Sequence, residues 1–106
     1  MDAVWVYVTA ANIADAEAIG RAVVEARLAA CANVLGATKA IYWWEGKVES
    51  SPEAALVLKS RRGLVPALTD KIKAIHDYEC PCVVALPIVD GNPDFLAWLE
   101  AETGPV

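Results

Sequence analysis

Residues 31–50 read CANVLGATKAIYWWEGKVES, and the way this stretch folds decides the rest of the chain. Tyr42, Trp43 and Trp44 stand together just before Glu45-Gly46, a pair that suits a tight turn between two strands. Neighbouring side chains in a strand point to opposite faces, so at least one of these rings faces away from the core of its own domain. A strand over residues 33–44 would extend roughly 40 Å at ~3.3 Å per residue. A compact chain of 106 residues has a diameter of only about 33 Å. The hairpin therefore outreaches the body that carries it, with Gly36 placed to insert a bulge that shortens it. A ribbon tipped with bare rings would invite aggregation. Each ring buries ~150–250 Å² when covered, which at ~25 cal/mol per Å² makes its covering worth several kcal/mol. The expectation is that neighbouring copies cover the tip in a closed cyclic oligomer. Packing of the rings on the chain's own last helix is the alternative.

Working outward, residues 3–8 are apolar on both faces and read as a central strand. Asn12 can cap a following helix whose apolar stripe is Ile19, Val23, Ala26 and Ala30, with Glu17, Arg21 and Glu25 on another face. After the hairpin, EAALVLKS (residues 53–60) continues the return strand, and Pro52 marks a bend or an edge position. Leu64, Leu68, Ile72 and Ile75 are the stripe of a second helix with Pro66 in its first turn. Residues 76–81 form a loop and residues 82–89 a strand. Asp90-Gly91-Asn92-Pro93 supplies a turn, a cap and a first-turn proline for a last helix carrying Phe95, Leu96, Trp98 and Leu99. The tail over residues 103–106 should fray. The order gives a single α+β domain over residues 1–106. It is a ferredoxin-like βαββαβ sandwich with a long central hairpin and an extra C-terminal helix. Two helices cover one face of the sheet and leave the other bare.

Hydrophobic residues make up 57% of the chain and its mean hydropathy is +0.37, yet no apolar run approaches the ~20 residues of a membrane-spanning helix. Excess apolar surface without a membrane segment points to burial between subunits. The net charge is −5, and the nine basic residues form no stripe, which speaks against nucleic acid as a partner. The amino terminus reads as a strand and not as a signal peptide. Three cysteines, Cys31, Cys80 and Cys82, are an odd number, best accounted for by reduced thiols in the cytoplasm.

The segments LAACANVLGATKAIYWWEGKVE, ALVLKS, IHDYECPCVVALPI and GNPDFLAWL together resemble the CutA divalent-cation-tolerance family. The likeness runs over residues 6–99, and the YWWEGK hairpin with the H-x-Y-E-x-P loop about 35 residues later carries most of it. The resemblance implies a ferredoxin-like subunit in a tight homotrimer, similar in build to the PII signalling proteins. It also implies a cytoplasmic protein linked to copper and other divalent cations. Two positions depart from the family's copper proposals. Val8 stands where the first strand would carry a cysteine, and of a pair of histidines only His76 is present, flanked by Ile75 and Asp77. Cys31 matches a recurrent family cysteine.

The residues themselves offer two sites. His76, Asp77, Glu79, Cys80, Cys82 and Cys31 are candidate metal ligands, since imidazole and thiolate suit copper or zinc and carboxylates suit harder ions. A lone histidine at a helix end also has a purely structural use, and Cys31 among alanines reads first as a buried structural thiol. The second site is a cleft between subunits lined by Tyr42, Trp44, Glu45, Lys59 and Tyr78, holding a small ligand. Glu45 and Lys59 would otherwise make an ordinary ion pair. No serine, histidine and acid set and no glycine-rich phosphate loop stands out, so an enzyme is not expected, nor is an organic cofactor.

Overall fold

The β-branched and aromatic runs of the sequence become four antiparallel strands, and its 3.6-residue stripes become three helices. The computed structural model describes residues 2–105. In chain order these are β1 (Ala3–Ala10), α1 (Ile13–Glu25), β2 (Cys31–Trp44), β3 (Lys47–Arg61), α2 (Val65–Ile75), β4 (Val83–Pro87) and α3 (Pro93–Glu102), with one 3₁₀ turn at Arg62–Leu64. The sheet order is β2-β3-β1-β4, so β1 is a central strand, as its two apolar faces require. Asn12 caps α1 by accepting from the Asp15 N–H at 2.8 Å, and Asn92 caps α3 through the Asp94 N–H at 3.0 Å.

The core lies between one sheet face and α1 with α2. Val4, Val6, Val8, Leu56 and Leu58 meet Ile19, Val23, Leu68 and Ile72 there. α3 covers only one end of the opposite face, where Leu99 packs with Ala3 and Ala30. That second face is therefore less bare than the sequence implies, for Ala55 and Val57 on it are buried. Trp5 and its edge-strand neighbours Val84 and Leu86 stay exposed there.

β1 stops pairing with β3 at Ala10–Ala54, and β2 and β3 run on as a two-stranded ribbon to Trp44–Lys47. Seven residues of each strand lie beyond that point, roughly 23 Å at ~3.3 Å per residue. The molecule measures 44 × 26 × 22 Å as a result. The expected bulge is present between Val34 and Gly36, and Gly36 takes φ +113°. Pro52 sits opposite Lys39 in the ribbon, where β3 has no strand on its outer side to receive a missing N–H. At the tip Glu45 and Gly46 have φ 49° and 80°, the pair of left-handed residues that a two-residue hairpin turn demands. Asparagine adopts that conformation more readily than glutamate. Glu45→Asn should therefore raise stability by about 0.5–1 kcal/mol, read from the urea midpoint at an unchanged slope.

Four expectations about element ends need correction. α1 stops at Glu25, because Arg27 turns left-handed at φ 62° and takes Ala26 and Ala30 out of the helix. The buried stripe is instead Ala16, Ile19, Gly20 and Val23. Ile75 closes α2 and is exposed rather than completing the second stripe. β4 is five residues long and ends at Pro87 on the sheet edge, with Ile88 N still donating to Ala3 O at 2.9 Å just beyond it. The tail does not fray as far as Gly104. Arg27 Nη1 meets Glu102 Oε2 at 2.6 Å, Gly104 N donates to Arg27 O at 2.8 Å, and Arg61 Nε donates to Thr103 Oγ1 at 2.8 Å. Val106 lies outside the described residues.

Candidate functional site

His76 follows the last turn of α2, and the chain then crosses the end of β1 to start β4. The pairing of β4 with β1 ends at Val83–Val8, which leaves the next carbonyl, that of Thr9, to another donor. His76 Nε2 lies 2.8 Å from it, and His76 Nδ1 lies 2.9 Å from the backbone N of Tyr78. A peptide N–H can only donate and a carbonyl only accept, so the ring is neutral with its proton on Nε2. The Tyr78 ring packs against His76 at 4.5 Å between centroids, and Tyr78 Oη donates to Glu53 Oε2 at 2.7 Å. Glu53 and Thr9 were not legible as site residues. The one available hint was a carboxylate opening the otherwise apolar run EAALVLKS, on the same strand face as Ala55 and Val57.

Burial and the hydrogen bond to the Glu53 carboxylate push the Tyr78 phenol up to about 12. Burial, with Glu53 adding to it, also pushes the Cys82 thiol up. A folded-state value above the unfolded one means that the unfolded chain loses its proton first. The stability contribution of Tyr78 is thus complete below about 10 and is lost as pH rises towards about 12. Ultraviolet titration of the phenols should show a late-ionising component in the native protein that Tyr78→Phe removes. A titration curve that Tyr78→Phe leaves unchanged at its late end would contradict the Tyr78–Glu53 bond.

The metal candidates do not converge within one chain. Among the described residues no group of three His, Cys, Asp or Glu side chains is placed to hold a metal ion. Cys31 opens β2, while Cys82 precedes β4 on the opposite edge of the sheet. Three strand spacings separate them laterally, roughly 14 Å at ~4.8 Å each, against metal–sulfur bonds of ~2.3 Å. Cys31 is half-buried beside Lys59 rather than fully enclosed. His76 has both ring nitrogens engaged. Cys82 resists becoming the thiolate that binds metals. Asp77 faces a shallow depression with Asp15, Ile19 and Ile75. Glu79 and Cys80 are exposed on the loop and carry no hydrogen bond to any described side chain. The single chain does not fit a resident metal.

The cleft candidates are also divided. Lys59 pairs across the sheet with Cys31 at the base of the hairpin, whereas Glu45 turns its tip. Lys59 lies twelve residue steps along β3 from Lys47 beside the turn, roughly 40 Å at ~3.3 Å per step, so Glu45 and Lys59 form no ion pair within a chain. Lys59 Nζ instead donates to Asn33 Oδ1 at 2.8 Å and lies 5.5 Å from the Phe95 ring centre. Tyr42 lies within hydrogen-bond reach of the Ser51 hydroxyl at 3.3 Å, on the same ribbon face as Glu53 and hence on the side of Tyr78. Tyr42, Trp43 and Trp44 are 40%, 75% and 51% exposed and do not pack on α3.

A family model for the CutA1 divalent ion tolerance protein matches residues 4–102. The mouse protein CutA is 44% identical over 100 residues, which is 94% of this chain and 56% of its own length. The chain spans about half the length of the plant and mammalian relatives it matches. The crystal structure of CutA1 from Oryza sativa superposes with a TM-score of 0.97 at 39% identity, covering 100% of this chain and 97% of that one. The structure of the CutA protein of Archaeoglobus fulgidus, described as a periplasmic divalent cation tolerance protein, gives 0.91 at 37% identity, with coverage of 94% and 97%.

Proposed function

The chain belongs to the CutA1 divalent ion tolerance family, and from that premise we propose that it works as a homotrimer whose divalent-cation chemistry belongs to the assembled ring rather than to one subunit. The observation that carries the reading is the ribbon, which projects beyond the last β1 pairing with three exposed rings at its end. Its tip and the open sheet face bearing Trp5, Val84 and Leu86 are different patches. A contact between them is heterologous, the type that forms a ring when the rotation between subunits closes and a filament when it does not. Three is the number that the family resemblance implies. The same contact would bring the Glu45 end of one hairpin towards another subunit's surface, the only way the divided cleft residues can meet.

Copper or another divalent cation then binds weakly through donors of more than one subunit, with Glu79 and Cys80 as the free donors of each loop. This role is performed in the cytoplasm and involves no catalysis. No helix among the described residues is long and apolar enough to cross a membrane.

Native mass spectrometry of protein titrated with copper tests the reading. Copper should add to the three-chain species, and Cys80→Ser should weaken that addition about tenfold or more. Equal loading of single chains, or loading indifferent to Cys80→Ser and Glu79→Ala together, would contradict it. A second reading has one observation in its favour. Glu53, Tyr78 and Tyr42 gather on one face of the ribbon, where a small ligand could be held between subunits and would raise the melting temperature.

A further inference from the structure

His76 is the only histidine of the chain, and imidazole is the donor most expected of a copper or zinc site. Its surroundings give it other work. One ring nitrogen serves the Thr9 carbonyl just past the last pairing of β4 with β1, and the other receives the Tyr78 N–H two residues on. The ring face is covered by Tyr78, whose hydroxyl is tied to Glu53 on β3. Three separate pieces of chain, the end of β1, the root of the ribbon and the α2–β4 loop, are thereby joined through one side chain and its neighbour. A metal could take either ring nitrogen only by releasing one of these backbone partners, and each is a group that costs free energy when left unpaired.

We infer that His76 is a positioning residue and not a metal ligand: it clasps the α2–β4 loop to β1 so that Glu79 and Cys80 are presented outward to a neighbouring subunit. The clasp itself stands on the contacts above; only the role of Glu79 and Cys80 rests on the proposed function. A glutamine side chain carries an amide acceptor and an amide donor, the same complement as a neutral imidazole. His76→Gln can thus keep an acceptor for the Tyr78 N–H and a donor for the Thr9 carbonyl, while offering a metal far less than imidazole does.

The test uses zinc as a diamagnetic probe on the unaltered 106-residue chain, His76→Gln, His76→Ala and Cys80→Ser. Because one histidine is present, its two ring nitrogens can be read directly by long-range ¹H–¹⁵N correlation. The metal-free wild type should show the proton on Nε2 and an unprotonated, acceptor-type Nδ1, and zinc should leave both signals in place. His76→Gln should bind zinc close to the wild-type affinity, whereas Cys80→Ser should weaken it about tenfold or more. Amide exchange at Tyr78 should quicken about fivefold to tenfold in His76→Ala and return towards wild type in His76→Gln. Zinc that shifts the ring nitrogens, or a His76→Gln loss as large as that of Cys80→Ser, would make His76 a ligand and overturn the inference. A proton on Nδ1, or unchanged exchange at Tyr78 in His76→Ala, would remove the clasp. Failure of every variant, and of the wild type, to bind zinc would count against the metal reading alone, because the tautomer and exchange results still decide the clasp.

Discussion

Trp43→Ser combined with Trp44→Ser should convert the proposed trimer into single chains. The two indoles are 75% and 51% exposed in one chain. Covering that surface removes roughly 100–200 Å² per ring from water, worth about 2.5–5 kcal/mol each at ~25 cal/mol per Å². Association must first overcome lost translational and rotational freedom, an opposing cost of the order of 4–15 kcal/mol. Removing two such anchors from each of three contacts leaves little surplus, so dissociation at micromolar concentration is the expected outcome. The indoles lie on a ribbon that contributes nothing to the core beneath α1 and α2, and the single chains should keep their far-ultraviolet spectrum. Size-exclusion chromatography with light scattering reads the mass. A double variant that stays trimeric with wild-type stability would show that these rings are not the anchors.

Leu56→Ala should behave in the opposite way, lowering stability by about 3–5 kcal/mol without changing the number of chains at native concentration. Leu56 is fully buried at the middle of β3, with Val8 and Val34 beside it in register. A Cβ built on Gly20 of α1 would come within 3.6 Å of Leu56 Cδ1 and 2.9 Å of Ala32 Cβ. The helix already lies close on the sheet at Ala32, so it has little room to move in and fill the space left by the leucine. That places the cost in the upper part of the range for such truncations, where it grows with the residual cavity. The urea midpoint at fixed protein concentration measures it. A loss under about 1 kcal/mol would mean that the site collapses freely and that α1 is less tightly seated than described.

The two variants separate what holds one chain together from what holds copies together, and the sequence carries these with different clarity. The hairpin was legible because local chemistry dictates it. Alternating rings, a left-handed Glu45-Gly46 turn and a glycine bulge all act within a few residues. The caps at Asn12 and Asn92 were legible for the same reason. The end of α1 was not, because no glycine or proline stops it and Arg27 takes the left-handed position instead. The fixed tail escaped too, since Arg27 and Arg61 reach it from 75 and 42 residues away.

The candidate site divides along the same line. The H-x-Y-E-x-P loop stands out as a motif, but its chemistry depends on Thr9, 67 residues earlier, and on Glu53, 25 residues earlier. Read alone, His76, Glu79, Cys80 and Cys82 look like a ligand set because those residue types suit metals. Only the sheet order puts Cys31 on the far edge, and only the end of the β4 pairing explains why the imidazole is occupied. The separation of Glu45 from Lys59 likewise follows from strand register, which fixes positions along the ribbon that spacing in the sequence leaves open.

Sedimentation equilibrium over a dilution series down to low micromolar protein addresses the central claim without any substitution. A constant mass of three times the 11.3 kDa chain, with indole emission that reports dry surroundings throughout, is the predicted result. A well-behaved particle of one chain mass would contradict the account, since it would mean that the rings at the end of the ribbon need no partner.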